Sequence, residues 1–264
     1  MGLGGICLLA CLAAVLTPAT QDSSPHSKAS AYVFRPEASE RAYLAFRLVM
    51  EPQWHSYWKN PGDSGMAIGV DWQVPEGVQI GEPLWPTPHK ISADGMTTYG
   101  YEDDVVVFYP VLKGAELLGD NIVAKGSWLI CKDMCLPANA SPRITNPSDA
   151  DLKVLRSQYA LVPSEVKNMG VAEIKDGKIR TAILLGIEQA TDLYAFVEEE
   201  AVVAHSKPQK ATFKGATLEL ELPLSPYATE IPPVVHFVLS GKKDGKPFAY
   251  RFAIQMQSTM EEQS

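Results

Sequence analysis

The chain contains 264 residues, of which 46% are hydrophobic and 20% are charged, a balance that argues against a disordered protein. This length can bury one sizeable core or two small ones, and two domains of about 110 to 130 residues fit the usual domain size. The formal net charge of −8 argues against nucleic-acid binding, because phosphate recognition requires concentrated Lys and Arg side chains.

The chain begins with an apolar segment. Residues 1–19 carry no charged side chain, and Leu3–Leu16 form a compact apolar run that small residues separate from a polar stretch. This pattern is typical of a secretory signal, and it is too short for a membrane span. We therefore expect cleavage near Ala19 and a soluble, exported mature protein.

The position of the signal decides which cysteines remain. Cys7 and Cys11 lie within it, so cleavage near Ala19 would leave Cys131 and Cys135 in a compartment where disulfides persist. As an alternative, residues 8–11 resemble a lipobox, which would make Cys11 a lipid-bearing N-terminus. The apolar run continues past Cys11, however, where a lipoprotein should become polar.

The next part of the chain, residues 30–147, contains all five tryptophans and is rich in Tyr, Pro and Gly. Its short apolar and alternating stretches are typical of strands separated by turns. The predicted strands are Tyr43–Met50, Ile68–Val74, Val105–Leu112 and Ile122–Ile130. Many short strands joined by Pro and Gly turns predict a β-sandwich.

A linker with one short helix is predicted over residues 148–164. Ser148 can cap the helix, and the acidic residues Asp149 and Asp151 suit its first turn. An apolar stripe follows at helical spacing, formed by Leu152, Leu155 and Tyr159.

Residues 165–264 contain neither Trp nor Cys, and their periodicity is again that of strands. The segment Gly241–Gly245 is a good hairpin signal. The predicted strands are Arg180–Leu185, Leu193–Val197, Ala211–Leu222, Val234–Leu239 and Phe248–Met256. The predicted fold class is therefore all-β, with one β-sandwich followed by a second.

The cysteine pair is the first candidate for chemistry. A strand runs into Cys131, Asp133 suits a turn before Cys135, and Pro137 interrupts regular pairing. Such a turn can bring the two Cα atoms within the roughly 4.4 to 6.8 Å that a disulfide requires. Closing a loop of about five residues adds only about 2 kcal/mol, against about 3 kcal/mol for fifteen residues. A structural clasp and a reducible, redox-active disulfide both remain open at this point.

Two other functions are compatible with the same residues. The soft ligands Cys131, Met134 and Cys135, with Met96 or His55, could hold Cu(I) in a copper-binding or copper-tolerance module. A non-catalytic β-sandwich with a purely structural disulfide is the other alternative. Zinc is disfavoured because a closed site needs four ligands. Thiol–disulfide exchange itself requires no metal or organic cofactor.

Two aromatic segments are candidates for the surroundings of the cysteines. In the first, residues 54–65, His55 or Tyr57 is expected to line the cysteine site. The second, Gly95–Asp104, is predicted to be a loop containing glycines, which could form a mobile aromatic flap over the disulfide. Trp128, three residues before the first cysteine, is a further candidate for lining the site.

Four segments carry a resemblance to a known family. They are His55–Gly65, Trp85–Pro88, Tyr99–Tyr101 and Trp128–Pro137, in this order, and together they span about residues 30 to 145. This combination resembles the periplasmic N-terminal domain of the thiol:disulfide interchange protein DsbD, and more closely that of its relative ScsB. The cysteine spacing is nearer to the ScsB pattern.

The resemblance implies an immunoglobulin-like fold and a periplasmic protein-disulfide reductase whose working pair is Cys131 and Cys135. By likeness to the family, Cys135 would form the mixed disulfide. A cap loop that shields the disulfide would correspond to Thr98, Tyr99, Gly100 and Tyr101. The resemblance further implies a membrane electron donor, here expected on a separate chain. The implied acceptors are thioredoxin-like periplasmic proteins, including those of cytochrome maturation.

Overall fold

The computed structural model describes residues 24–37, 41–93, 95–166 and 170–257. The predicted signal, with Cys7 and Cys11, lies outside the described residues. In the described ranges, no helix combines the length and the apolar character needed to cross a membrane.

Residues 27–145 form two β-sheets, which we call the N-terminal sandwich. One sheet has the strand order β11-β1-β2-β8-β5, and the other has the order β10-β9-β3-β7-β6 with β4 also paired to β9. Apart from the parallel β1–β11 pair, these strands pair antiparallel. The strands described here are β1 (Ser27–Phe34), β2 (Tyr43–Met50), β3 (His55–Gly62), β4 (Gly69–Gln73), β5 (Gln79–Ile80), β6 (His89–Ala93), β7 (Met96–Glu102), β8 (Asp104–Lys113), β9 (Val123–Cys131), β10 (Cys135–Ala140) and β11 (Ile144–Thr145), with a short 3-10 helix at Ala115–Leu117.

The core of the N-terminal sandwich consists of the inward-facing side chains of both sheets. Phe46 and Trp128 are fully buried there, with ring centroids 5.9 Å apart. The predicted strand Tyr43–Met50 has the observed bounds, and the other three predicted strands of this part differ by one or two residues at their ends. The all-β, immunoglobulin-like class is therefore confirmed.

The predicted helix is present as α1 (Asp149–Tyr159). The hydroxyl of Ser148 accepts a hydrogen bond from the Asp151 N–H, and the Asp151 carboxylate accepts one from the Ser148 N–H, so both residues form a capping box. Arg47 on β2 donates to Asp151 as well, which fixes the helix start against the sheet. Leu155 is fully buried in a cluster with Phe34 and Phe108 on the outer face of this sheet.

Leu155→Ala should lower the free energy of unfolding by about 2–5 kcal/mol, because it removes buried methyl groups and leaves a cavity between helix and sheet. Urea unfolding monitored by circular dichroism measures this loss. Leu184→Ala is the matched control, since Leu184 is 70% exposed and its truncation should change stability by less than about 0.5 kcal/mol. Equal losses for the two variants would mean that α1 is not packed on the sheet.

Residues 164–256 form an eight-stranded sheet, which we call the C-terminal sheet. Its strand order is β15-β18-β19-β13-β14-β17-β16, with β12 also paired to β19. The side-chain amide of Gln209 exchanges two hydrogen bonds with the backbone of Ala195, so it joins the two edges of the sheet around one core. The described strands are β12 (Ser164–Glu165), β13 (Gly170–Lys175), β14 (Lys178–Leu184), β15 (Thr191–Val197), β16 (Lys210–Lys214), β17 (Thr217–Pro223), β18 (Val234–Lys243) and β19 (Lys246–Met256).

One predicted strand of this part is wrong. Residues 211–222 form two antiparallel strands, β16 and β17, joined by a tight turn at Gly215 and Ala216. The apolar positions shift by one residue across the turn, from Ala211 and Phe213 to Leu218, Leu220 and Leu222, and the prediction of one strand overlooked this shift. The predicted hairpin near Gly241–Gly245 is present, but its turn is only Asp244-Gly245, because the strands extend to Lys243 and Lys246.

The N-terminal sandwich and the C-terminal sheet share a packed interface. Phe196 and Val238 of the sheet belong to the same core cluster as Trp58 and Tyr99 of the sandwich. The Tyr99 hydroxyl lies 2.9 Å from the Tyr194 hydroxyl and 3.0 Å from Nδ1 of His205. Burial lowers the pKa of His205, although the charge of Asp63 opposes this effect.

The lowered pKa of His205 predicts a loss of stability in mild acid. The folded state favours the neutral ring, so the stabilisation is present above the ordinary pKa of 6.5 and is lost as the pH falls below it. We expect the melting temperature to fall between about pH 7.5 and about pH 5.5, and to fall less in a His205→Gln variant. Thermal melts at several pH values test this, and parallel curves for the two proteins would contradict it.

Candidate disulfide exchange site

The site is built on the hairpin of β9 and β10. Cys131 is the last residue of β9 and Cys135 the first of β10, and the strand register places them opposite each other. Their sulfur atoms are bonded, and their Cα atoms lie 4.1 Å apart. The turn between them is closed by a hydrogen bond from the Lys132 N–H to the Met134 carbonyl oxygen, 3.2 Å long. The turn joins the two cysteines as predicted, and their Cα separation is slightly shorter than the expected range.

The two cysteines differ in exposure. Cys131 is only 1% exposed, whereas Cys135 is exposed to solvent beside the exposed side chain of Met134. Thiol–disulfide exchange requires an attacking thiolate to approach a sulfur atom, and Cys135 is the more exposed of the two cysteines.

His55 and Tyr57 on β3 lie beside the disulfide, as expected from the sequence. His55 is paired with Cys131 across the sheet, and residues at i and i+2 of a strand point to the same face. The Tyr57 hydroxyl lies 3.6 Å from Sγ of Cys135 and 3.3 Å from Nε2 of His55. A bonded disulfide sulfur has no proton to give, so in the Tyr57–Cys135 contact the Tyr57 O–H is the donor. When Tyr57 donates there, its oxygen can accept from His55 in the tautomer that carries a proton on Nε2.

The environment keeps these two groups uncharged. Burial raises the pKa of Tyr57, so its hydroxyl retains the proton that it donates to sulfur. Burial also lowers the pKa of His55, although the nearby Glu102 carboxylate opposes this effect. The sulfur therefore receives a hydrogen bond from a neutral phenol.

A residue not singled out from the sequence covers Tyr57. Gly65, with φ +116°, lies against the Tyr57 ring, and a Cβ at this position would stand 2.4 Å from the ring atoms. Only a glycine fits so close to the ring in this backbone conformation. The signal in the sequence was the Gly-Asp-Ser-Gly run that follows the aromatic segment.

The expected cap loop is not a loop in the structure. Thr98, Tyr99, Gly100 and Tyr101 lie within strand β7, where Gly100 is opposite Tyr57. The hydroxyl of Tyr101 donates to the carbonyl oxygen of Pro86, and Tyr99 belongs to the interface with the C-terminal sheet. The reason is the strand periodicity, which directs both tyrosine side chains away from the face that carries the disulfide.

Trp128 does not line the disulfide either. It is fully buried in the sandwich core, and its indole N–H donates to the Ser27 hydroxyl. It precedes Cys131 by three positions on one strand, and an odd separation places two side chains on opposite faces of a sheet.

The proposed copper ligands are only partly assembled. Cys131 and Cys135 are joined to each other, so a Cu(I) site here would require the reduced pair. Met134 is 64% exposed in the turn between them, and Met96 is 46% exposed at the start of β7. Among the described residues, no group of three or more His, Cys, Asp or Glu side chains is arranged to hold a metal ion.

Comparison with known proteins identifies the part of the chain that carries this site. Residues 22–145 match the family model described as "Thiol:disulfide interchange protein DsbD, N-terminal". This range is therefore similar to the DsbD N-terminal domain family. The match ends ten residues after Cys135, so it includes the whole disulfide hairpin and leaves out the C-terminal sheet.

Solved structures show a similar fold over a longer range. The N-terminal periplasmic domain of ScsB from Proteus mirabilis covers 90% of this chain and 97% of its own, with a TM-score of 0.63 and 18% identity. The reduced N-terminal domain of DsbD from Neisseria meningitidis covers 44% of this chain and 91% of its own, with a TM-score of 0.29 and 12% identity. No curated protein matches the sequence. The ScsB likeness shows that the sandwich and the C-terminal sheet together form a known fold.

Tyr57→Phe should shift the equilibrium of the Cys131–Cys135 pair towards the disulfide by about fivefold. The hydroxyl bonds weakly to a disulfide sulfur and more strongly to a thiolate, and its loss costs the reduced form about 1 kcal/mol. Glutathione redox buffers at about pH 8.5, where a free cysteine is half ionised, measure this equilibrium. Tyr227→Phe is the control because Tyr227 is 80% exposed, and an equal shift in both variants would contradict the assignment.

Proposed function

We propose that this protein is a periplasmic thiol–disulfide exchange protein that passes reducing equivalents through the Cys131–Cys135 pair to exported protein acceptors. The observation that carries the proposal is the asymmetric disulfide, in which Cys135 is an exposed residue and Cys131 a buried one. The similarity of residues 22–145 to the DsbD N-terminal domain family supports it.

The first half of the reaction loads the pair with electrons. A thiolate of a reduced partner attacks Sγ of the exposed Cys135, a new mixed disulfide forms, and the electron pair of the broken bond passes to the sulfur of Cys131. A second thiolate of the partner then attacks its own sulfur in the mixed disulfide and releases Cys135 as a thiolate. The partner leaves with a disulfide, and both cysteines are reduced.

The second half runs in the opposite direction on an oxidised acceptor. The Cys135 thiolate attacks the acceptor disulfide, and the buried Cys131 thiolate resolves the mixed disulfide by attacking Sγ of Cys135. Two electrons have then moved to the acceptor, which takes up protons from water. In both halves, Tyr57 can donate its O–H to Cys135 when this sulfur carries charge.

The partners follow from the chemistry of the pair. A reduced dithiol protein must supply the electrons, and the family suggests a membrane protein of DsbD or ScsB type for this role. Thioredoxin-like periplasmic proteins, including those of cytochrome maturation, are the proposed acceptors. Export to the periplasm is supported by the apolar residues 1–19, and a disulfide can persist in that compartment.

The difference in exposure predicts which cysteine is trapped by a partner. Cys131→Ala leaves the exposed Cys135 and should form a mixed disulfide with an oxidised thioredoxin-like protein. Cys135→Ala leaves Cys131, which is 1% exposed, and should react at least about tenfold more slowly. Peptide-resolved mass spectrometry measures both rates and separates these cysteines from Cys7 and Cys11.

A double Cys131→Ser, Cys135→Ser variant completes this experiment. It should abolish electron transfer from a reduced dithiol donor to an oxidised thioredoxin-like acceptor. Unchanged transfer in the double variant would end the proposal. Trapping through Cys131 instead of Cys135 would reverse the assigned roles of the two cysteines.

A further inference from the structure

The regular pairing of strand β3 with strand β7 is interrupted directly after Tyr57. Tyr57 is opposite Gly100 on β7, but the next registered pair is Gly62 with Thr98. Four residues of β3, 58–61, therefore stand against one residue of β7, which is Tyr99. We call residues 58–61 the β3 bulge. Bulges of this kind re-aim neighbouring side chains and are frequent beside active sites.

Asn60 attaches the β3 bulge to the C-terminal sheet. Its side chain is fully buried, and its amide Nδ2 donates to the carbonyl oxygens of Val197 at 2.8 Å and Glu199 at 3.1 Å. Its Oδ1 accepts a hydrogen bond from the Gly62 N–H at 3.0 Å, which holds the local turn. One side chain therefore fixes the shape of the bulge and its position on the second sheet.

The two residues before Asn60 contact the same segment of the C-terminal sheet. The Trp58 ring packs edge-on against Phe196, with the ring centroids 6.1 Å apart. The Lys59 ammonium lies 2.6 Å from a carboxylate oxygen of Glu198, which is only 8% exposed and is also paired with Arg251. A partly buried ion pair, an aromatic contact and two hydrogen bonds thus connect three consecutive residues to the C-terminal sheet.

The β3 bulge lies between Tyr57 and Gly65, the glycine that covers the Tyr57 ring. Tyr57 itself precedes the bulge, and Gly65, which covers its ring, follows it by four residues. The Tyr57 hydroxyl reaches Cys135 at 3.6 Å, a distance that a small rotation of the strand would lengthen beyond hydrogen bonding.

We propose that Asn60 is a positioning residue for the disulfide, through which the C-terminal sheet holds Tyr57 against Cys135. The inference rests on the proposed exchange function and gives the C-terminal sheet a part in it. Asn60 touches neither sulfur and acts only through Tyr57. The sheet thereby becomes a support for the exchange site on the adjoining sandwich.

The test uses Asn60→Asp in the full chain. Aspartate retains the oxygen that accepts from the Gly62 N–H but lacks the donor for the two carbonyl oxygens. We expect the reduction equilibrium of the Cys131–Cys135 pair, measured in glutathione buffers, to shift about two- to fivefold towards the disulfide, which is at most the effect of Tyr57→Phe. Asn146→Asp is the matched control, since Asn146 is exposed and should leave the equilibrium unchanged.

The decisive comparison is a double-mutant cycle with Tyr57→Phe. If Asn60 acts through the Tyr57 hydroxyl, adding Asn60→Asp to Tyr57→Phe should produce no further shift. Additive shifts would overturn the inference, because a purely structural or purely electrostatic effect of the new carboxylate would persist without the hydroxyl. If Asn60→Asp fails to fold, Lys59→Met replaces it. We expect this variant to shift the reduction equilibrium of the cysteine pair about twofold towards the disulfide. An unchanged equilibrium in Lys59→Met would also overturn the inference.

The outcomes separate this inference from the proposed function. If the wild-type pair does not equilibrate with glutathione or a dithiol, the exchange function itself fails. If the wild-type pair equilibrates and Asn60→Asp behaves as the wild type does, only the positioning role of Asn60 fails.

Discussion

The antiparallel pairing of β9 with β10 places Cys131 directly opposite Cys135, and the properties of the site depend on this register. The closed loop is so short that the bond contributes little to stability by restricting the unfolded chain. The same register puts His55 beside Cys131, and the two-residue period of a strand then puts Tyr57 on the same face. Strand geometry alone therefore assembles a cysteine pair, an imidazole and a phenol.

The electrostatic character of the site differs from that of cysteine pairs at a helix start. There the helix dipole and nearby cations favour the thiolate strongly. Here the polar contact to the disulfide comes from Tyr57, which burial keeps protonated, with a neutral His55 behind it. In the proposed function, such a sulfur would be attacked by more reactive partner thiols, and the exposed Cys135 would be the point of attack.

The C-terminal sheet is connected to this site by chemistry as well as by packing. Asn60, Lys59 and Trp58 all contact residues 196–199, and each uses a different kind of interaction. On the neighbouring strand β7, the Tyr99 hydroxyl lies within hydrogen-bonding distance of both Tyr194 and His205. A buried asparagine amide is costly unless its hydrogen bonds are satisfied. In this interface the Asn60 amide is satisfied by the C-terminal sheet, so the shape of the β3 bulge depends on that sheet.

The sequence by itself determined several local features, because each depends on residues close together in the chain: the cysteine turn, the capped helix at Ser148, eight of the nineteen described strands and the all-β class. Only the tertiary structure decided which contacts form between segments that are distant in the chain. The two carbonyl groups that accept from the Asn60 amide lie more than 130 residues away, so no local pattern reveals them. Likewise, Gly65 lies against the Tyr57 ring, and the bulge in β3 shifts the register between β3 and β7. That shift is a property of the assembled sheet and has no counterpart in hydrophobic periodicity.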